Sequence, residues 1–146
     1  MDEYKMNTFK EDLQRGIDVE KQVLEILKKT YPSASLIDKY KGYDIWIPET
    51  HKSVEVKYDP MSNTTGNIVV EVWMYEKPSA LLTTTADYWI FYDGLYFVSI
   101  PPKKIFECIM LNEIPLRVFT GKGDTVSKKA YLIRKELLFS YGKMLT

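Results

Sequence analysis

The most constraining stretch of the chain runs from Asp44 to Lys57. An apolar triplet, Ile45-Trp46-Ile47, is followed by the turn-forming Pro48-Glu49-Thr50-His51 and then by an alternating run, Lys52-Ser53-Val54-Glu55-Val56-Lys57. Period-two alternation on both sides of a short polar break is the signature of a β-hairpin. A four-residue loop from Pro48 to His51 sets Ile47 against Lys52, and the same register sets Asp44 opposite Glu55, with α-carbons about 4.5–5.5 Å apart. Side chains alternate across a strand, so Lys57 shares a face with Glu55, whereas Val54 and Val56 turn toward a core.

Other segments supply what such a hairpin needs to bury its apolar face. Asn7 or Thr8 caps a long amphipathic helix reaching about Lys29, with Phe9, Leu13, Ile17, Glu20, Leu24 and Leu27 on one stripe and Tyr31-Pro32 ending it. Tyr43 to Ile47, Ser53 to Asp59 and Asn67 to Tyr75 read as a three-strand antiparallel meander. Lys77 to Ala86 suits a brief helix weakened by Thr83-Thr84-Thr85. Tyr88 to Tyr92 and Leu95 to Ile100 read as strands joined by a tight Asp93-Gly94 turn, and Pro101-Pro102 opens a helix through Met110. A strand near Tyr131 to Ile133 and a tail complete an α/β (α+β) domain with a mixed sheet flanked by helices. At 146 residues, with no internal repeat or long linker, one domain over 1–146 is expected.

Charge and cysteine content exclude several function classes. Twenty Lys plus Arg balance twenty Asp plus Glu, so contact with a polyanion must come from a local patch. With one cysteine, Cys108, and one histidine, His51, neither a disulfide framework nor a soft-ligand zinc site can be built. Cys108 lies in an apolar helical stretch with no histidine to activate it and reads as a buried structural thiol. No apolar run reaches the roughly 18 residues of a membrane span, so the expectation is a soluble, cytoplasmic protein. Gly121-Lys122-Gly123-Asp124-Thr125 lacks the spacing of a phosphate-cradling P-loop.

Two carboxylates facing each other across a hairpin destabilise a sheet unless a positive charge lies between them. A divalent cation with oxygen ligands, Mg²⁺ or Mn²⁺, satisfies Asp44 and Glu55, and the neighbouring Lys57 ammonium adds a group suited to stabilising phosphoryl charge. An alternating Glu and Lys face that merely solvates a strand produces the same pattern. Glu20 falls inside the helical stripe, where a carboxylate either is paired or metal-facing, or reaches solvent from the stripe's edge. A connection symmetric about Asn63 pairs Asp59 with Asn67 and Glu55 with Glu71, which either brings Glu71 into the acidic row or leaves it on the surface.

Gly16-x-x-x-Glu20-x-x-Val23 in the opening helix, Asp44 in a strand and Glu55-Val56-Lys57 in the next together resemble the PD-(D/E)XK, or restriction-endonuclease-like, nuclease superfamily. The resemblance extends to Thr65-Gly66-Asn67-Ile68-Val69-Val70-Glu71, Pro78-Ser79-Ala80-Leu81, Ala86-Asp87-Tyr88-Trp89 and Ala130-Tyr131-Leu132-Ile133, like those of small phage-type or junction-resolving nucleases. Tyr43 replaces the proline of the superfamily name, and Thr85 stands where similar sequences often carry a basic residue. The resemblance implies a restriction-endonuclease-like core and a Mg²⁺- or Mn²⁺-dependent deoxyribonuclease acting on DNA. It implies Asp44 and Glu55 as metal ligands, Lys57 as catalytic, Glu20 completing the site, and the Val56 carbonyl as an additional ligand. A homodimer is compatible with enzymes that cut two strands. The competing expectation is a noncatalytic nucleic-acid or protein-binding module on the same fold.

Substrate-facing candidates are the polar loop Pro60 to Gly66, the basic pairs Lys28-Lys29, Lys39 with Lys41, Lys103-Lys104 and Lys128-Lys129, and the aromatic residues Tyr40, Tyr43, Tyr58 and Trp73. Core packing is the competing fate of Trp73, and a solvent-facing turn tip that of His51.

Overall fold

The computed structural model describes residues 3–37, 42–120 and 127–145. In chain order these form α1 (Glu3–Lys28), β1 (Ser35–Leu36), β2 (Ile45–Ile47), β3 (Lys52–Tyr58), α2 (Ser62–Thr65), β4 (Asn67–Met74) and β5 (Lys77–Pro78). A 3₁₀ turn (Ala80–Leu82) then precedes β6 (Tyr88–Tyr92), β7 (Phe97–Ile100), α3 (Pro102–Leu111), β8 (Leu116–Thr120), β9 (Ser127–Arg134), α4 (Lys135–Phe139) and β10 (Lys143–Leu145). The class is mixed α and β, as expected. Among the described residues no helix is long and apolar enough to cross a membrane.

Two sheets share the strands. The first runs β1-β2-β3-β6-β7-β10 and the second β5-β4-β9-β8. All described pairings are antiparallel except β3 with β6, which run parallel with Glu55 beside Trp89 and Lys57 beside Phe91. The three-strand meander is therefore corrected: β3 does not pair with β4, so the registers Asp59 with Asn67 and Glu55 with Glu71 do not form. The 3.3–3.4 Å rise of a strand gives the chain after Tyr58 enough reach to leave the first sheet, and it does so through α2. There Ser62 is buried and donates to the Asp59 carbonyl at 2.7 Å. The Pro60–Gly66 segment thus contains a short helical turn anchored by Ser62, with Pro60, Met61 and Asn63 to Thr65 exposed.

Parallel strands need an external reference for their register, because no tight turn joins them. Ser53 and Asp87 provide it. The Asp87 carboxylate accepts from the Ser53 backbone N–H at 2.8 Å and from its hydroxyl at 3.1 Å, while the Asp87 N–H donates to the Ser53 carbonyl at 3.0 Å. The next residues, Val54 and Tyr88, begin the ladder. β6 becomes a central strand with Trp89, Ile90 and Phe91 all buried, as the continuously apolar sequence of a strand covered on both faces requires.

The two faces feed two cores. On one, Ile45, Ile47, Val54 and Ile90 pack against Val19, Val23 and Leu27 of α1. On the other, Trp89, Phe91, Val98 and Ile100 pack against Ile68, Val70 and Val72 of β4, Ile105 and Cys108 of α3 and Leu138. The expected helical stripe is met in part: Leu27 is buried and Leu24 packs against the same core, but Val19 and Val23 are the most buried described residues of the helix, while Leu13 is 43% exposed and Ile17 and Glu20 are half-buried. β-Branched Val, stiff at χ1, fills the contact with the sheet. The side chain of Phe9 lies outside the described residues. The segment expected as a helix over Lys77 to Ala86 is β5 and a 3₁₀ turn, and the C-terminal tail is α4 and β10. β10 approaches β7 at Gly142, where a Cβ would stand 2.7 Å from the Ser99 carbonyl oxygen.

The expected strands on either side of Asp93-Gly94 form, but the turn is wider than a two-residue one, with Tyr92 opposite Phe97. Gly94 takes φ 96°, a left-handed conformation that favours glycine. Asp93 is buried, accepts from the N–H groups of Leu95 at 2.8 Å and Tyr96 at 2.7 Å, and lies 3.0 Å from the Lys135 ammonium of α4. Burial works to raise its pKa, but the Tyr96 and Leu95 hydrogen bonds and Lys135 outweigh that, leaving it below the usual carboxylate value. Asn63 of α2 joins by donating to the Asp93 carbonyl and accepting from Lys135.

Two consequences are measurable. Asp87→Ala strands the N–H of buried Ser53 and is expected to cost about 1–3 kcal/mol in urea unfolding. Asp93→Asn leaves Lys135 without its anion, and the loss is expected near 3 kcal/mol at pH 7. Because the folded-state pKa of Asp93 is lowered, its contribution is complete above the ordinary value of about 3.9 and is lost as pH falls through the folded value. Wild-type and variant stabilities should converge toward pH 2; a gap independent of pH would refute the ion pair's role.

Candidate active site

β2 and β3 pair as expected, with Ile47 against Lys52, Trp46 against Ser53 and Ile45 against Val54. Asp44 precedes β2, one residue beyond the last of these pairs. The regular ladder ends there: the Asp44 N–H donates to the Val54 carbonyl at 2.8 Å, and the Asp44 carboxylate accepts from the Val56 N–H at 2.7 Å. A side chain thus takes the place of a backbone acceptor at the end of the hairpin and fixes the Asp44 carboxylate against the middle of β3. Ile45, Ile47 and Val54 all face α1, with partly buried Val56 packed against them. Alternation therefore carries Glu55 and Lys57 to the opposite side of the sheet.

Glu55 and Lys57 meet on that side. The Lys57 ammonium lies 3.1 Å from Glu55 Oε1 and 4.8 Å from the centre of the Trp89 ring. Lys57 is about one-third exposed and Glu55 less, at 34% and 22% of their side-chain surfaces. The ammonium therefore reaches solvent while resting on an aromatic face that attracts cations. The other Glu55 oxygen accepts from the Thr84 hydroxyl at 3.0 Å. Thr84 in turn accepts from Trp89 Nε1 at 3.0 Å and from the Ala86 N–H at 3.2 Å. Trp89 is almost wholly buried and needs this partner for its indole N–H. Thr84 thus joins the parallel neighbour strand to Glu55. The sequence offered only a run of three threonines before Ala86-Asp87-Tyr88, and spacing along the chain did not mark which one turns inward.

The two other acidic groups expected at this site stand on different elements. Glu20 is half-buried on α1, the helix whose Val19 and Val23 pack on the opposite face of the sheet. Glu71 belongs to the second sheet, opposite Ala130 of β9, and accepts from the Ser79 hydroxyl at 2.8 Å. It nevertheless borders a cleft of about 180 Å³ between the sheets that Lys57, Trp89 and Phe91 also line. Among the described residues, no three His, Cys, Asp or Glu side chains gather as a metal-holding group. The cross-strand carboxylates expected to need a cation are already partnered within the protein, Asp44 by the Val56 N–H and Glu55 by Lys57 and Thr84.

Tyr43 packs beside Trp46, with ring centres 6.2 Å apart, and Tyr58 stacks on Tyr92 at 5.6 Å. Trp73 lies against the second core with the Lys129 ammonium 5.0 Å from its ring centre. His51 sits in the hairpin turn at φ 53°, edge-on to Trp46. Lys28, Lys29 and Lys103 are exposed, and Lys104 pairs with Glu107 at 3.0 Å. Tyr40, Lys39, Lys41 and the Gly121–Thr125 run lie outside the described residues. Cys108 is a free, fully buried thiol, and burial pushes its pKa up, in keeping with a structural role. Comparison of the chain with protein-family models and with curated proteins finds no match.

Thr84→Val keeps the shape but removes the shared hydroxyl, leaving the Trp89 and Ala86 donors unsatisfied. A loss of about 1–3 kcal/mol is expected in denaturant unfolding, with Thr84→Ser restoring most of it. Equal stability of the Val variant would show that the network carries no weight.

Proposed function

We propose that the chain is a metal-dependent nuclease of the PD-(D/E)XK type, hydrolysing phosphodiester bonds in DNA. The observation that carries this reading is the pairing of Glu55 with Lys57 on one face of β3, with Lys57 lining the cleft between the sheets and the Asp44 carboxylate held on the Val56 N–H of the same strand. The available donors are oxygens throughout, with Cys108 buried in the second core and His51 at the hairpin turn. That donor chemistry fits a hard cation of the Mg²⁺ or Mn²⁺ kind. Asp44 and Glu55, with the Val56 carbonyl, are the residues that would hold it. When bound, such an ion supplies Lewis-acid stabilisation of phosphoryl oxygens and a lowered pKa for water.

The protein's own contribution lies in orientation and charge. Val56 holds the Asp44 carboxylate through its N–H, so the carboxylate needs little reorganisation to act as a ligand. Thr84 holds Glu55 from the far side. Lys57 rests between Glu55 and Trp89 and presents a cation to the cleft, where a phosphate's developing negative charge would be stabilised. The Trp89 face restrains the ammonium without neutralising it, as a second carboxylate would.

One observation favours a second reading. Both Glu55 oxygens are engaged, by Lys57 and by Thr84, an arrangement that equally suits a noncatalytic nucleic-acid-binding module. The two separate cleanly. Supercoiled, linear, single-stranded and branched DNA would be incubated with the protein in Mg²⁺ or in EDTA. The nuclease reading expects cleavage only with the metal and a fall of about 10²–10³-fold in Lys57→Ala. Cleavage indifferent to chelation, or retained in full by Lys57→Ala and Glu55→Ala, would overturn it. DNA binding without turnover, and without Mn²⁺ affinity in calorimetry, would establish the binding module.

A further inference from the structure

A cavity larger than the cleft between the sheets lies on the other side of the first sheet, away from Glu55 and Lys57. It has a volume of about 710 Å³ and opens between the C-terminal end of α1 and the ends of β7 and β10. That size falls within the range of roughly 300–1,000 Å³ typical of small-molecule sites. Its accessible apolar surface comes from half-buried Ile26, Tyr31, Tyr88 and Leu145, above the buried Leu27, Ile47, Val54 and Ile90.

The charge around the cavity has one sign. Its charged lining residues are Lys29, Lys52, Lys104 and Lys143, in a chain whose acidic and basic residues are equal in number. They come from four separate elements, so helix composition does not account for them. Lys29 alone would answer the negative end of α1. Only Lys104 is ion-paired among the described residues, with Glu107. The first turn of α3 also borders the cavity through Pro101 and Lys104, and it carries neither an acidic residue nor a side-chain cap. The positive end of a ten-residue helix therefore adds to the lysines at the same opening.

A largely apolar interior whose charged lining residues are all cationic is complementary to a molecule with an apolar body and an anionic head. We propose that this cavity binds a small anionic amphiphile, with an aliphatic body against Ile26, Tyr31, Tyr88 and Leu145 and a carboxylate or phosphate head among Lys104, Lys143 and the start of α3. The site is independent of the nuclease reading, since Val54 and Val56 point to this side of β3 while Glu55 and Lys57 point to the other.

The test is calorimetric titration of the full chain with decanoate, dodecanoate, dodecyl phosphate and dodecanol, below their aggregation concentrations. At least one anion series is expected to bind one-to-one and to tighten about fourfold per added methylene, the equivalent of about 0.8 kcal/mol. Dodecanol should bind at least tenfold more weakly. The ratio between dodecanoate and dodecyl phosphate identifies the preferred head. Lys104→Ser/Lys143→Ser, both at exposed positions, should weaken the anion at least tenfold at unchanged thermal stability, whereas Lys57→Ala should bind as wild type. Failure of both anions to bind, binding of dodecanol as tight as the anions, or indifference to the double substitution would overturn the proposal without bearing on DNA cleavage.

Discussion

The arrangement of this molecule depends on how two parallel strands, separated by a long excursion of the chain, find one register. A hairpin fixes its own register through its turn, but β3 and β6 share none. The paired hydrogen bonds between Ser53 and Asp87 supply the alignment at the first rung. Everything that follows along β3 inherits it: Glu55 falls beside Trp89, Lys57 beside Phe91, and Thr84 comes within reach of the Glu55 carboxylate. A slip of one residue would exchange the polar and apolar faces of the strand, replacing Glu55 and Lys57 with Val54 and Val56. The polar clamp therefore decides which chemistry faces which side.

The same alternation gives β3 two duties. One face joins the α1 core and floors the lysine-rimmed cavity, and the other carries the carboxylate and ammonium pair. The two faces differ in how their charges are managed. On the cleft side each charged group of the pair has a protein partner, with Lys57 and Thr84 on Glu55, and Trp89 beneath Lys57. On the cavity side three of the four lysines have no ion-pair partner among the described residues. Geometry on the first side is held by short-range hydrogen bonds and is insensitive to salt, whereas attraction at the second is a field of exposed cations that salt would screen.

Local features of this fold were legible in the sequence because local chemistry determines them. The Pro48–His51 turn, the alternation of Val54, Glu55, Val56 and Lys57, the paired prolines ahead of α3 and the extent of β4 and β6 all rest on periods of a few residues. The placing of Asp44 against β3 followed from that hairpin alone. What was not legible depends on contacts distant along the chain. The departure of β4 to a second sheet, with Glu71 on it, required knowing that β6 would claim the edge of β3. Thr84 was hidden for the same reason, since its partner Glu55 is 29 residues away. The expected α1 stripe matches the core at Leu24 and Leu27 but passes over Val19 and Val23, because the sheet selects for fit rather than for the most hydrophobic residue.

Because alignment is secured at Ser53 and Asp87, the length of chain between them is released from that duty. The excursion runs through α2, β4, β5 and a 3₁₀ turn, and its main strand builds an entire second layer with β9 and β8. It rejoins the first sheet only after Thr84 has met Glu55. Such a design separates the part of the molecule that must be exact from the part that is free to be reshaped. The outer layer forms one wall of the cleft through Val69 and Glu71, so redesigning it would change what enters while the hairpin opposite keeps its geometry.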